Sequence, residues 1–294
     1  MVVRLMPAYQ FGQASAETNF GKHNGMSQAL QPFELYALRY GRHRNRSASE
    51  NYLGGADFHD SDSDLDYYVW VARRSEEIYL VDTGFDEAAA KKRGRELLIP
   101  VESALELIGI QPRQIRNVII THLHYDHAGT MANFPDAIFH VQDKEAAYVT
   151  GRHMCHSVLR QPFDVDDIVN YVRILYQERI RFHSGDSEIA PGLSVHWVGG
   201  HTDGLQVVRV WTQRGWVVLA SDASHLYGNM ERKHPFPLVF HVGDMLEGYT
   251  RVHQLAESPQ HIVPGHDPDV MRRYPAPDDK GQGYVVRLDV DPLG

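Results

Sequence analysis

Cysteine is almost missing, with Cys155 alone in 294 residues. An internal disulfide framework is thereby excluded, and a reducing, cytoplasmic setting is expected. No run of about 18 apolar residues occurs, and the amino terminus "MVVRLMPAYQFGQASAETNFG" lacks the apolar centre of a signal peptide, so no membrane association is expected. Positive charge is short as well. The net charge of -9 repels a phosphate backbone, which argues against a nucleic-acid partner. The one basic run, "RYGRHRNR" at 39–46, reads as a solvated loop or strand end offset by the acidic "DFHDSDSDLD" at 57–66.

What remains is an ordinary apolar share, 43%, enough for a sizeable core, and the alternation of strand and helix patterns predicts a layered α/β fold. Residues 1–32 are polar and without period, an amino-terminal arm placed to pack across a homodimer interface. Residues 33–294 read as one domain. Strands are expected at 33–38, 66–72, 77–84, 116–122 and 137–142, and helices at 86–98 and 101–110. Residues 143–183 carry a helical pattern and read as a cap inserted between the halves. Beyond the break "SGDSEIAPG", strands are expected at 193–200, 205–212 and 215–222, a helix at 243–257 and a last strand at 261–267. "EEIYLVDTG" and "RGWVVLASDA" echo one another, each an apolar strand closing on an acidic residue.

Histidine is abundant, at 18, and it clusters. "THLHYDHAG" at 121–129 follows the apolar "NVII" and holds His122, His124, Asp126 and His127. In extended chain, side chains two apart share a face, so His122 and His124 can converge on one ion. Asp126 and His127 lie where the chain turns toward Gly129 and can face a second. Three further strand ends close on ligand-type residues: His201 in "VGGHTDG", Asp222 in "LASDAS" and His266 in "IVPGHDP". Five imidazoles and two carboxylates suit two zinc ions, with iron or manganese as alternatives.

The H-x-H-x-D-H motif at 122–127, followed by a strand-end His, a strand-end Asp and "PGH", resembles the metallo-β-lactamase superfamily of dinuclear hydrolases. With "DTG" at 82–84, "DAS" at 222–224 and "PGHD" at 264–267, the chain is most similar to the N-acyl homoserine lactonase group, over residues 33 to 272. That resemblance implies a four-layer αββα sandwich and two divalent ions. His122, His124 and His201 would hold one ion, Asp126, His127 and His266 the other, and Asp222 would bridge them. Asp82 would support the ligand loop. It also implies opening of a lactone by water activated between the ions, with Asp126 as the acid for the leaving alkoxide. Two positions depart from the group's pattern. His225 stands where a tyrosine usually follows the bridging aspartate, with Tyr227 two residues on, and "HTDGL" at 201–205 replaces "HTPGH". His225 or Tyr227 is then expected to steady the oxyanion.

Around the substrate, His153, Met154 and Phe163 of the cap and Phe236 of "HPFPLVFH" are candidate pocket residues, and Arg152 or Arg160 is placed to meet a substrate carboxylate. Cys155, between His153 and His156, reads as an ordinary thiol rather than a third metal site. The same ligands suit a thioesterase of the glyoxalase II type and, less well in so acidic a chain, a phosphodiesterase.

Overall fold

The computed structural model describes residues 30–57 and 63–293. Nearly all of the arm expected at 1–32, and the centre of the acidic stretch at 57–66, lie outside the described residues. The described end of the arm runs onto the second sheet, where the Trp211 indole donates to the Leu30 carbonyl (3.2 Å) and Phe33 N–H to that of Trp211 (2.8 Å).

The first half contributes β1 (Glu34–His43), β2 (Leu65–Arg74), β3 (Glu77–Val81), β4 (Glu96–Leu97), β5 (Asn117–Ile119), β6 (Ile138–Gln142) and β7 (Ile180–His183). Between them run α1 (Glu87–Arg93), α2 (Val101–Glu106), α3 (Tyr125–Ala128), α4 (Asp143–Val149), α5 (Ser157–Arg160) and α6 (Val165–Tyr176). The second half adds β8 (Ser187–Ala190), β9 (Leu193–Trp197), β10 (Gln206–Thr212), β11 (Gly215–Ser221), α7 (Tyr227–Glu231), α8 (Val242–Leu255), β12 (Ile262–Pro264), α9 (Asp269–Arg273) and β13 (Val285–Arg287). One sheet has the order β13-β1-β2-β3-β5-β6-β7, with β4 also on β1, and the other the order β12-β11-β10-β9-β8.

The layering follows from β2. Its Tyr68, Trp70 and Ala72 pack into the cluster shared with β9, β10 and β11, while Tyr67, Val69 and Val71 pack into a second cluster with Val101, Ala104 and Leu105 of α2. A strand covered on both faces has no polar side to alternate, which is why "DYYVWVA" is nearly all apolar. On the second sheet, α8 packs against β11 and buries Met245, Tyr249 and Val252. Helices, sheet, sheet and helices give a mixed α/β fold of four layers.

Several expected boundaries shift. The helix foreseen over 86–98 stops at Gly94, which takes a left-handed conformation (φ 65°), and the chain then adds β4 to the sheet. Glycine there ends the helix because only it adopts that turn without strain. The strand at 116–122 ends at Ile119, which frees the histidine segment from pairing. The cap foreseen over 143–183 closes with β7, a parallel partner of β6, so its last residues belong to the sheet. "SGDSEIAPG" contains β8 rather than a break, and α7, α9 and β13 answer to no expected element.

Candidate metal centre

Two parallel strand pairs aim their carboxyl ends at one place. β3 lies beside β5, and β11 beside β12, so the loops after all four leave the sheets on the same side of the sandwich. They carry Asp82, the segment from His122 to His127, Asp222 and His266, while the β9–β10 connection brings His201. Asp82 (φ 62°) and Ser221 (φ 45°) are both left-handed without being glycine. Such strain at the ends of the two echoed strands marks where the fold holds the backbone against its preference.

The ligand-type atoms converge. Those of His122, His124, His201 and Asp222 all lie within 4.8 Å of one another, and so do those of Asp126, His127 and His266. His124 Nδ1 is 3.0 Å from both His122 Nε2 and His201 Nε2. Asp222 Oδ2 is 3.0 Å from His201 Nε2, and its Oδ1 is 3.2 Å from His127 Nε2 and 2.9 Å from His266 Nε2. One carboxylate thus turns an oxygen to each group.

The outer ring nitrogens are held. His127 Nδ1–H donates to Asp82 Oδ2 (2.7 Å), His201 Nδ1–H to the Leu238 carbonyl (2.7 Å) and His266 Nδ1–H to the Asp66 carbonyl (3.0 Å). His122 Nδ1 meets Thr121 Oγ1 (3.1 Å), whose hydroxyl donates to Asp82 Oδ2 (2.8 Å). Each such bond fixes the ring and leaves Nε2 as the inward atom. Burial drives His122 and His124 well below the usual imidazole range, so both are neutral. Burial alone would raise Asp222, yet the surrounding imidazoles, His225 and His266 first, hold it well below the carboxylate range. At His127 burial is likewise outweighed, here by Asp222, Asp126 and Asp82, which raise it.

These residues fit a divalent cation. His127 Nε2 is buried with no hydrogen-bond partner, and three neutral or ligand-ready imidazoles turn nitrogens toward one another across 3.0 Å. A cation satisfies both features, and the nitrogen and carboxylate donor set is that of a borderline transition metal.

A cavity of about 540 Å³ opens over the groups, with His124, Asp126, Asp222 and His266 on its floor. His225 lines it too. Its Nε2 sits 3.1 Å from Asp222 Oδ2, its ring stacks on Phe236 at 3.8 Å, and burial pushes it down to about 3. Tyr227 is not in this cavity: it is buried under the Arg273 guanidinium, 3.7 Å from its ring. Two phenols do line it, Tyr67 and Tyr125, and burial pushes Tyr67 up to about 12. Phe236 is in place on the wall. His153 is absent from it and packs instead on Tyr148 and Phe240. Met154 and Phe163 line a neighbouring cavity of about 840 Å³, with Arg160 but without Arg152. Phe163 also meets the His124 ring edge-on, at 4.5 Å. Cys155 is exposed, and among the described residues it joins no metal-holding group.

The defining sequence pattern of the Metallo-beta-lactamase superfamily matches residues 63–271. The chain belongs to the metallo-beta-lactamase superfamily. An N-acyl homoserine lactonase of Bacillus sp is 28% identical over 190 residues, 59% of this chain and 70% of that relative. A probable metallo-hydrolase of Mycobacterium tuberculosis is 25% identical over 245 residues, 69% of this chain and 72% of that one. The solved structure of a quorum-quenching N-acyl homoserine lactone lactonase aligns with a TM-score of 0.66 at 25% identity, over 81% of this chain and 94% of its own. The protein is accordingly a metal-dependent hydrolase of the metallo-beta-lactamase superfamily.

Some of this metallo-beta-lactamase site was not foreseen. Glu145 on α4 is fully buried, and its carboxylate accepts from Leu123 N–H (2.8 Å), Thr202 Oγ1–H (2.7 Å) and Gly204 N–H (3.1 Å), tying the loop of His122 and His124 to that of His201. Asp66 accepts from Arg39 (2.9 Å) and Arg42 (2.8 Å) while its carbonyl holds His266. No local motif marks either residue, since each acts through partners remote in sequence.

Proposed function

We propose that this hydrolase opens a lactone, an N-acyl homoserine lactone or a similar ring ester, at a centre of two divalent ions, with zinc as the first candidate. The observation that carries the reading is Asp222, whose two oxygens face two separate imidazole groups. His122, His124 and His201 would hold one ion, Asp126, His127 and His266 the other. Two ions so held would polarise the ester carbonyl and supply activated water near neutral pH. The likeness to lactonases of Bacillus supports the substrate class, and the cavity sets Leu65, Phe236 and Leu238 beside its many polar groups.

The chain's own residues then orient and transfer protons. His225, neutral and stacked flat on Phe236, keeps Nε2 on Asp222 and holds a buried Nδ1 with no partner, ready to meet a polar atom of the substrate. Tyr67 keeps its phenolic proton at any working pH and donates it toward the acyl group. Asp126 lies 3.6 Å from His127 Nε2 and also lines the cavity, where it carries the proton to the departing alkoxide.

The test is acid release by the metal-loaded protein on a panel of lactones, beside the Asp222→Ala protein. Ring opening is expected in the parent and a loss of about a hundredfold to a thousandfold in the variant, the scale seen when a charge-stabilising group is removed from an active site. Turnover of thioesters with none of any lactone would sink the lactonase reading.

A further inference from the structure

The basic run at 39–46 closes β1, is solvated at Arg44, and is offset in part by Asp66 of the acidic stretch, but not throughout. Arg39 and Arg42 pair with buried Asp66, and Arg44 with Glu96, but Arg46 folds back over the cavity, its guanidinium 5.4 Å from the Phe236 ring centre. His43 stands between two guanidiniums, with Nδ1 3.3 Å from Arg46 Nη1 and Nε2 3.2 Å from Arg95 Nη1. A neutral imidazole accepts at one nitrogen only, so at most one of these contacts is a hydrogen bond. Burial first, then Arg95 and Arg46, push His43 down to about 4, and it adds no countercharge.

Arg95 is the centre of this wall. Its Nε donates to the Tyr125 hydroxyl (3.2 Å) and its Nη1 to the Arg93 carbonyl (2.7 Å), and among the described residues no carboxylate pairs with it. Arg93 donates to the carbonyls of Gln161 and Phe163, its Nε is buried without a partner, and among the described residues it too has no carboxylate at ion-pair distance. Arg93 and Arg95 line both the cavity over the metal centre and the one beside it. Away from the centre's own aspartates, the one carboxylate among the described residues on the first cavity's wall is Glu50, half-exposed and 3.9 Å from Arg46. In the second, Asp164 is taken by Lys92 (2.6 Å).

In a chain of net charge -9, three half-buried arginines are gathered at one cavity, two of them with no carboxylate at ion-pair distance among the described residues. Partly desolvated guanidiniums without countercharge are costly, and their forked donors match carboxylate and phosphate oxygens. We propose that Arg95, with Arg93 and Arg46, binds an anionic oxygen group of the substrate, a carboxylate or a phosphate ester, on the arm remote from the ester being cleaved. This rests on the ring-ester reading above and narrows it to anionic substrates.

The experiment compares homoserine lactones that differ at the acyl terminus alone: hexanoyl, adipoyl with its free carboxylate, and a phosphorylated hydroxyhexanoyl. The metal-loaded parent is expected to favour the anionic compounds by about tenfold or more in kcat/KM at low salt, as one charge-assisted hydrogen bond gives. That ratio falls toward one in Arg95→Gln and in Arg46→Gln, and with added salt in the parent. Whichever of the two anions is preferred identifies the group. Equal kcat/KM for the hexanoyl compound and both anionic compounds in the parent overturns the proposal while leaving the lactonase reading intact. If no lactone turns over, calorimetry with the unhydrolysable adipoyl and hexanoyl lactams decides: tighter adipoyl binding that is lost in Arg95→Gln upholds the anion site alone, and equal binding removes it.

Discussion

Glu145 shows what one side chain can do when it is fully enclosed. Its carboxylate takes three donors from two loops, and burial raises its pKa against those bonds. Glu145→Gln keeps the shape but turns an NH2 toward groups that are themselves donors. We expect metal affinity to fall by about tenfold to a hundredfold, the usual effect of losing a group that orients ligands. Competition with a chromophoric chelator measures it, and retention equal to the parent would show that the loops hold without this carboxylate. At this scale legibility divides sharply. His122, His124, Asp126, His127, His201, Asp222 and His266 were readable as a converging set, because metal chemistry demands those residue types at strand ends. Glu145, Asp66 and Arg95 were not, because a carboxylate on a helix or an arginine near a strand acquires its role from partners brought in by the fold.

Elements were readable where local pattern and tertiary environment agree. β2 and β11 announce themselves as apolar runs, and the alternation of α6 marks its buried Tyr171 and Ile174. β7, by contrast, is short and largely exposed, and only its pairing with β6 makes it a strand. The three-residue β13 becomes one by returning to β1 across most of the sequence. Among the described glycines the closest neighbour is at Gly204, where a Cβ would run into the Glu145 backbone in the first turn of α4. Gly204→Ala is therefore expected to destabilise the protein by about 3 kcal/mol, as forced overpacking does. Urea unfolding of the loaded protein tests this, and a change below about 1 kcal/mol would mean that α4 moves aside freely.

For the molecule as a whole, acid is the weak side. His140 is buried against His183 (2.9 Å) and Asn117, and burial first, then His183, pushes it down to about 4. Its free value is near 6.5, so the unfolded chain takes up a proton where the folded one does not. The stability that neutral His140 confers is complete above about pH 6.5 and drains away as pH falls toward 4. Between about pH 7 and pH 5 the parent should lose about 1–2 kcal/mol more than His140→Gln, measured by denaturant unfolding at fixed metal; parallel curves would show that His140 does not titrate this way.

The ligand-type residues are also divided along the chain. His122, His124, Asp126 and His127 come from the first half, and His201, Asp222 and His266 from the second, so neither half contains a complete group. During synthesis the early histidines leave the ribosome with partial coordination to offer, and the last of the seven, His266, follows His127 by 139 positions. Full-strength metal capture would thus wait until both halves have been made. An ion taken up then would enter a folded cleft rather than a nascent strand.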